Sequence, residues 1–216
     1  MALRFKDRRH AGRLLADELS RYKDAPSLLV LALPRGGVPV AFEVADRLGA
    51  PLDVFTVRKL GVPRQPELAM GAIASGGIRV LNRSIVDGLR IPDEVIQAIT
   101  ERELQELRRR EEEYRGDRPD LDLEGRTVIL VDDGLATGAT MEAAIEAVKS
   151  RHPRQLIVAV PTAPPDTSRR LSRMVDEMVC LQTPEPFGGV GGWYQDFSQT
   201  TDEEVIDYLE RAPAAT

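Results

Sequence analysis

The feature that most constrains this chain is a series of short apolar runs, each too continuous to be one face of a half-exposed sheet. They cover residues 27–33, 52–57, 127–131 and 156–160, with 178–181 as a candidate last member. Strands buried on both faces read this way, and both faces can be covered only when helices alternate with parallel strands. The intervening segments carry helical spacing. Asp7 can cap a helix with Ala11, Leu14, Leu15 and Leu19 on one face, and Gly36-Gly37 open a pattern through Val40, Val44, Ala45 and Leu48 that Gly49 ends. Ala144, Ile145 and Val148 turn inward on a third helix. The expectation is an α/β fold with a Rossmann-like parallel sheet of about five strands, and 216 residues suit one such core.

Between residues 60 and 125 the alternation breaks. Residues 69–81 read as a glycine-interrupted hairpin, and Pro92-Asp93 start a long helix reaching about Arg115. Glu106 with Arg110 and Arg109 with Glu113 stand at i,i+4, which supports a solvated helix face, so the run Arg108-Arg109-Arg110 is read as a charge-laced surface and not as a nucleic-acid patch. Its apolar stripe (Ile96, Ile99, Leu107, Tyr114) is narrow, implying light packing or a partner chain. The formal net charge of -6 gives no global attraction to nucleic acid or anionic membrane, so an anionic ligand needs a local cluster of donors. The single cysteine, Cys180, sits in an apolar setting and suits a reducing compartment. With no apolar run after the basic residues of the N-terminus, and none long enough to span a bilayer, a cytoplasmic protein is expected.

The chemistry concentrates at residues 128–141. A buried strand delivers Asp132 and Asp133 to the carboxyl edge of the sheet, where ligands of open α/β sheets bind. Gly134 and Gly138 allow close backbone approach, and the loop runs into a helix whose first amides have no intrahelical partner. Amides from about Ala136 to Thr140, with the hydroxyls of Thr137 and Thr140, can surround an anion. Carboxylates repel phosphate, so the aspartates must face another part of the ligand; vicinal sugar hydroxyls satisfy them. The ligand deduced from these residues is a sugar 5-phosphate.

This run resembles the signature of the type I phosphoribosyltransferases, which bind 5-phosphoribosyl 1-pyrophosphate (PRPP). The resemblance implies that Asp132 and Asp133 hold the ribose hydroxyls and, through water or those hydroxyls, a Mg²⁺ ion. It implies that Ala136, Thr137, Gly138, Ala139 and Thr140 cradle the 5-phosphate. Two further segments are similar to the same family. Arg35-Gly36-Gly37, after Leu33-Pro34, resembles the pyrophosphate loop, in which a cis peptide is expected immediately before Arg35. Arg58-Lys59 matches the basic position that meets the pyrophosphate. Asp132, Asp133 and Arg35 are the implied catalytic residues. The segment after Lys59 stands where the family has its flexible catalytic loop, and here it is much longer.

Residues 187–197 are similar to the base-binding hood of hypoxanthine-guanine phosphoribosyltransferases, implying Phe187, Val190, Trp193 and Asp196 at the base. Two departures stand out. Ala136 replaces the Asp of the 6-oxopurine enzymes, and their base-reading Lys is missing near residues 160–162. Adenine enzymes use a loop carboxylate instead, for which Glu67 is a candidate. The implied organisation is one phosphoribosyltransferase domain, with its core at about 1–59 and 126–181, an inserted loop region at 60–125, and a small C-terminal hood at about 182–200. The implied function is Mg²⁺-dependent transfer of the phosphoribosyl group to a nitrogenous base, a purine by the hood, with release of pyrophosphate by a cytoplasmic homodimer. The alternative is a catalytically silent PRPP-sensing regulator.

Overall fold

The computed structural model describes residues 4–116 and 118–214, apart from the side chains of Pro66 and Glu67; the role considered for Glu67 therefore lies outside the described residues. Asp7 caps α1 (Arg8–Glu18), its carboxylate accepting from the His10 amide at 2.7 Å. The chain then enters β1 (Leu28–Ala32), α2 (Gly37–Leu48) and β2 (Leu52–Val54). Gly49 ends α2 in the left-handed conformation that glycine adopts without penalty. A second, antiparallel sheet follows: β3 (Val57–Val62), β4 (Gln65–Ala74) and β5 (Ile78–Leu81), then α3 (Arg83–Gly88) and α4 (Asp93–Arg115). The chain returns with β6 (Thr127–Val131), α5 (Ala139–Lys149), β7 (Gln155–Thr162), α6 (Pro165–Ser172), β8 (Glu177–Gln182) and α7 (Asp202–Arg211).

The main sheet is parallel and five-stranded, in the order β2-β1-β6-β7-β8. Strand alternation sorts its side chains into two cores. Leu28, Val30, Ala32, Ile129, Val131, Ile157 and Ala159 meet α2 and α7 on one face. Leu29, Leu31, Val128, Leu130, Leu156 and Val158 meet α5 on the other. Each fully buried Leu, Ile or Val contributes about 1.5–3 kcal/mol, so this doubly covered sheet is the rigid part of the fold.

The apolar run at 52–57 does not form one strand, which corrects the sequence reading. The main sheet keeps only Leu52–Val54. The chain turns at Phe55-Thr56, where the Thr56 amide meets Ser75 Oγ at 2.8 Å and the Ser75 amide returns to Thr56 O at 2.9 Å. Val57 then opens the second sheet, so Arg58 and Lys59 lie inside β3 and not at the end of a main-sheet strand. The expected hairpin is β4-β5, turning through Gly76 and Gly77, both with positive φ. Leu60, Val62, Met70 and Ile73 pack with Ile96 and Leu107 of α4. Tyr114, near the end of α4, reaches the main core and donates to Asp202 of α7. The narrow stripe of α4 is thus covered within this chain.

Candidate active site

The carboxyl edge of the main sheet brings two loops into contact. A Cβ on Gly36 would lie 2.1 Å from Asp133 Oδ2, and one on Gly37 would lie 2.8 Å from Val131 O. No side chain fits there, so glycine is required for close approach between β1-α2 and β6-α5 loops, not for an unusual φ. The peptide between Pro34 and Arg35 is cis, as the resemblance implied. The Gly37 amide closes the turn onto Leu33 O at 3.1 Å.

Asp132 and Asp133 stand side by side beside this glycine pair. Asp132 Oδ1 accepts from the Asp133 amide at 2.8 Å. Burial, and next the charge of Asp133, push the Asp132 carboxyl well above the usual carboxylate range. Burial also raises Asp133, which Arg8 draws back toward the charged form. Arg8 Nε lies 2.8 Å from Asp133 Oδ2, with the two side chains only 11% and 13% exposed. Sequence reading missed Arg8, although one signal was present. Arg8 and Arg9 occupy the first turn of α1, where a cation opposes the helix dipole, so each needs an acid elsewhere. Arg8 finds Asp133, and Arg9 finds Glu43 at 2.6 Å.

The candidate phosphate loop lies open at the start of α5, with Ala136, Thr137, Ala139 and Thr140 exposed. Gly138 is the N-cap of α5 at φ 76, and a Cβ there would meet Thr167 Cγ2 at 2.7 Å. Helix α6 braces the loop from behind. Thr167 Oγ1 donates to Ala136 O at 2.9 Å, and Arg170 Nη2 to Thr137 O at 2.6 Å. The carbonyls are thereby drawn toward α6, and the start of α5 is turned to an anion with its first amide, that of Ala139, held only by a long 3.4 Å bond to Thr137 Oγ1.

The expected pyrophosphate cations diverge. Arg35 reaches Asp202 at 3.4 Å, the carboxylate that Tyr114 also meets. Arg58 is held by Glu103 of α4 through Nη2 at 2.7 Å and Nε at 3.0 Å. Lys59, the next residue along the strand, lines a cavity of about 600 Å³ together with Ala139 and Thr140. Arg58 is turned to α4, whereas Lys59 also borders a second cavity with Arg58, Ile99 and Glu103 and so stands between α4 and the phosphate-loop side.

The hood folds over the acidic pair. Val190 Cγ1 would be 2.6 Å from a Cβ on Gly134, whose φ is 154. The Tyr194 hydroxyl donates to Asp133 O at 2.5 Å. The N-terminal segment clamps this arrangement, the Phe5 amide donating to Trp193 O and the Gln195 amide to Phe5 O, both at 2.8 Å. Trp193 Nε1 donates to Phe187 O at 3.0 Å, with the two rings tilted and 6.4 Å apart. Asp196 accepts from the Ser198 amide at 2.9 Å, so its carboxylate caps its own turn, and that bond holds it below the usual range.

A family profile described as phosphoribosyl transferase domain matches residues 6–194. Two Mycobacterium tuberculosis proteins, from strains CDC 1551 and H37Rv, are named provisionally as phosphoribosyl transferases. Each is 49% identical over 208 residues, covering 96% of this chain and 47% of the relative. The chain thus spans about half the length of those relatives. The crystal structure of TT1426 from Thermus thermophilus is 47% identical, with a TM-score of 0.87 over 98% of this chain and 100% of that one. With the domain match covering most of the residues and the acidic pair, glycine loop and α5 terminus gathered at one sheet edge, the chain belongs to the phosphoribosyl transferase family of the type I fold.

Proposed function

We propose that this protein transfers the 5-phosphoribosyl group of PRPP to a nitrogenous base, a purine, with release of pyrophosphate. The observation that carries the reading is the convergence of Asp132-Asp133, the open α5 terminus and the Gly36-Gly37 turn at one edge of the main sheet. In this reading the amides from Ala136 to Thr140 and the Thr137 and Thr140 hydroxyls take the 5-phosphate. Asp132 and Asp133 accept from the ribose hydroxyls. Arg35, Gly36, Gly37 and Lys59 face the pyrophosphate, Arg35 exchanging Asp202 for the ligand. A bond from a base nitrogen to C1 forms as the bond from C1 to the pyrophosphate oxygen breaks. The adjacent carboxylates stabilise the positive charge that develops on the sugar. Phe187, Val190 and Trp193 supply the apolar and stacking surface for a flat heterocycle.

The donor set fits a Mg²⁺ ion that arrives with PRPP. Among the described residues no three His, Cys, Asp or Glu converge as a resident metal site. Mg²⁺ is commonly held through one or two carboxylates, water and substrate phosphates, which Asp132 and Asp133 can complete. When bound, the ion would neutralise charge on the departing pyrophosphate. A cytoplasmic homodimer belongs to the same reading, with the lone free Cys180 suiting a reducing compartment.

The test is pyrophosphate release from PRPP with Mg²⁺ and a panel of purines and pyrimidines. Turnover on at least one purine is expected. Tight PRPP binding with no turnover on any base would replace this reading with a PRPP-sensing regulator.

A further inference from the structure

Arg8 joins three parts of the molecule that are remote in sequence. Its Nε is 2.8 Å from Asp133 Oδ2, its Nη1 donates to Ser198 O at 2.5 Å, and its Cζ lies 4.0 Å from the centre of the Phe197 ring. The same Oδ2 is packed against Gly36, where a Cβ would stand 2.1 Å away. Asp133 Oδ2 is thus sealed by a guanidinium on one side and the pyrophosphate-side loop on the other. Asp132 Oδ1 is committed as well, to the Asp133 amide. Each carboxylate therefore has one oxygen already engaged, and Asp132 Oδ2 and Asp133 Oδ1 are the acceptors that remain for a ligand. Two acceptors, one from each aspartate, match a vicinal diol.

We propose that Arg8 is the positioning residue of this pair: it fixes the Asp133 rotamer that offers Oδ1 to a ribose hydroxyl, and through Phe197 and Ser198 it ties that grip to the hood. The proposal rests on reading Asp132 and Asp133 as the ribose pair of a PRPP site. The planar fork of arginine suits the task, since it meets a carboxylate and a carbonyl at once while stacking on a ring.

The experiment is calorimetric titration of the full chain, wild type and Arg8→Gln, with Mg²⁺-PRPP, ribose 5-phosphate, 2-deoxyribose 5-phosphate and pyrophosphate separately. Arg8→Gln is expected to weaken PRPP and ribose 5-phosphate by the same factor, about tenfold, the scale of one charge-assisted contact. Pyrophosphate affinity should stay unchanged, and the 2-deoxy sugar should lose less than ribose 5-phosphate. Loss of pyrophosphate affinity with ribose 5-phosphate unaffected would mean that Arg8 touches the leaving group, overturning the proposal. Unchanged binding of all four ligands would overturn it too. If Arg8→Gln is unfolded at the assay temperature, Arg8→Lys carries the test. The lysine keeps the charge but not the fork, so a loss of about threefold confined to the ribose ligands is expected, and no loss overturns the proposal. Wild-type protein that fails to bind PRPP at all would instead remove the underlying site reading, a result distinguishable because it precedes any substitution.

Discussion

The two sheets of this molecule solve different problems. In the parallel sheet every residue of β1 and β6 is buried, and the candidate site hangs on backbone turns at its carboxyl edge. In the antiparallel sheet β5 is only half-buried, and the neighbouring α4 is laced with arginine-glutamate pairs such as Arg58–Glu103 and Arg109–Glu106. Sugar and phosphate would thus be gripped by a rigid frame of amides, glycines and two fixed carboxylates. Of the cations expected for pyrophosphate, Arg35 at the parallel-sheet edge already pairs with Asp202, and Arg58 in the antiparallel sheet is held by Glu103. A ligand meets preformed backbone geometry in the first region, where it has one ion pair to displace, and an ion-paired side-chain surface in the second.

The largest effect should come from opening the rigid frame. Leu130→Ala, fully buried in β6, is expected to lower unfolding stability by about 2–5 kcal/mol. Denaturant titration checks it; a loss under about 1 kcal/mol would mean that the parallel sheet is no stiffer than the insertion. Next comes Asp132→Asn. Removing one of two adjacent enclosed charges should weaken Mg²⁺-PRPP binding by about 30-fold or more, since a charge-assisted acceptor is lost. The same change should raise the melting temperature, because the folded state no longer holds an unfavourable carboxylate. A variant that both binds PRPP normally and melts lower would contradict the electrostatics of the pair.

This contrast also explains what the sequence disclosed. The runs at 127–131 and 156–160, the Asp7 cap, the Gly49 stop and the residue 128–141 signature are legible because backbone geometry and burial impose them locally. The split of residues 52–57 between two sheets was hidden, since its cause is a pairing of Thr56 with Ser75 nineteen residues away. Arg8 was hidden for the same reason at longer range, its partner Asp133 lying 125 residues along the chain. Helix α7 could have been found. Thr201 and Glu204 form a capping box ahead of Val205 and Leu209, a local signal that the sequence reading did not use.

A smaller effect separates Arg58 from Lys59. Because α4 holds Arg58 through Glu103 while Lys59 borders the cavity beside Thr140, their substitutions should differ. Lys59→Ala is expected to weaken PRPP binding by about fivefold, the scale of one exposed charged contact, and Arg58→Ala by less than about twofold. Arg58→Ala should instead cost stability, about 1 kcal/mol, by leaving the enclosed Glu103 with a weaker partner. Reversal of the order would show that the hairpin turns over when ligand binds, and that the ion pairs of the insertion are a resting arrangement.

The smallest expected effect concerns α4 alone and follows from the sign of one titration. Arg109 and Arg110 hold the Glu106 carboxyl down to about 2 from an ordinary 4.5. A depressed carboxyl supports the folded helix above its unfolded value, and that support is lost as pH falls through the folded value. Amide exchange in α4, corrected for intrinsic rates, should therefore be flat from neutral pH to about 5 and accelerate only in stronger acid. Glu106→Gln should remove the acid limb, since no proton remains to be taken up there. The group lies at the surface, with Arg109 exposed and Glu106 half-buried, so salt should partly mimic the variant by screening it, while protection in β6 responds to neither. Equal acid sensitivity in α4 and β6 would mean that the two regions open together, and the division between a rigid frame and an ion-paired insertion would fail.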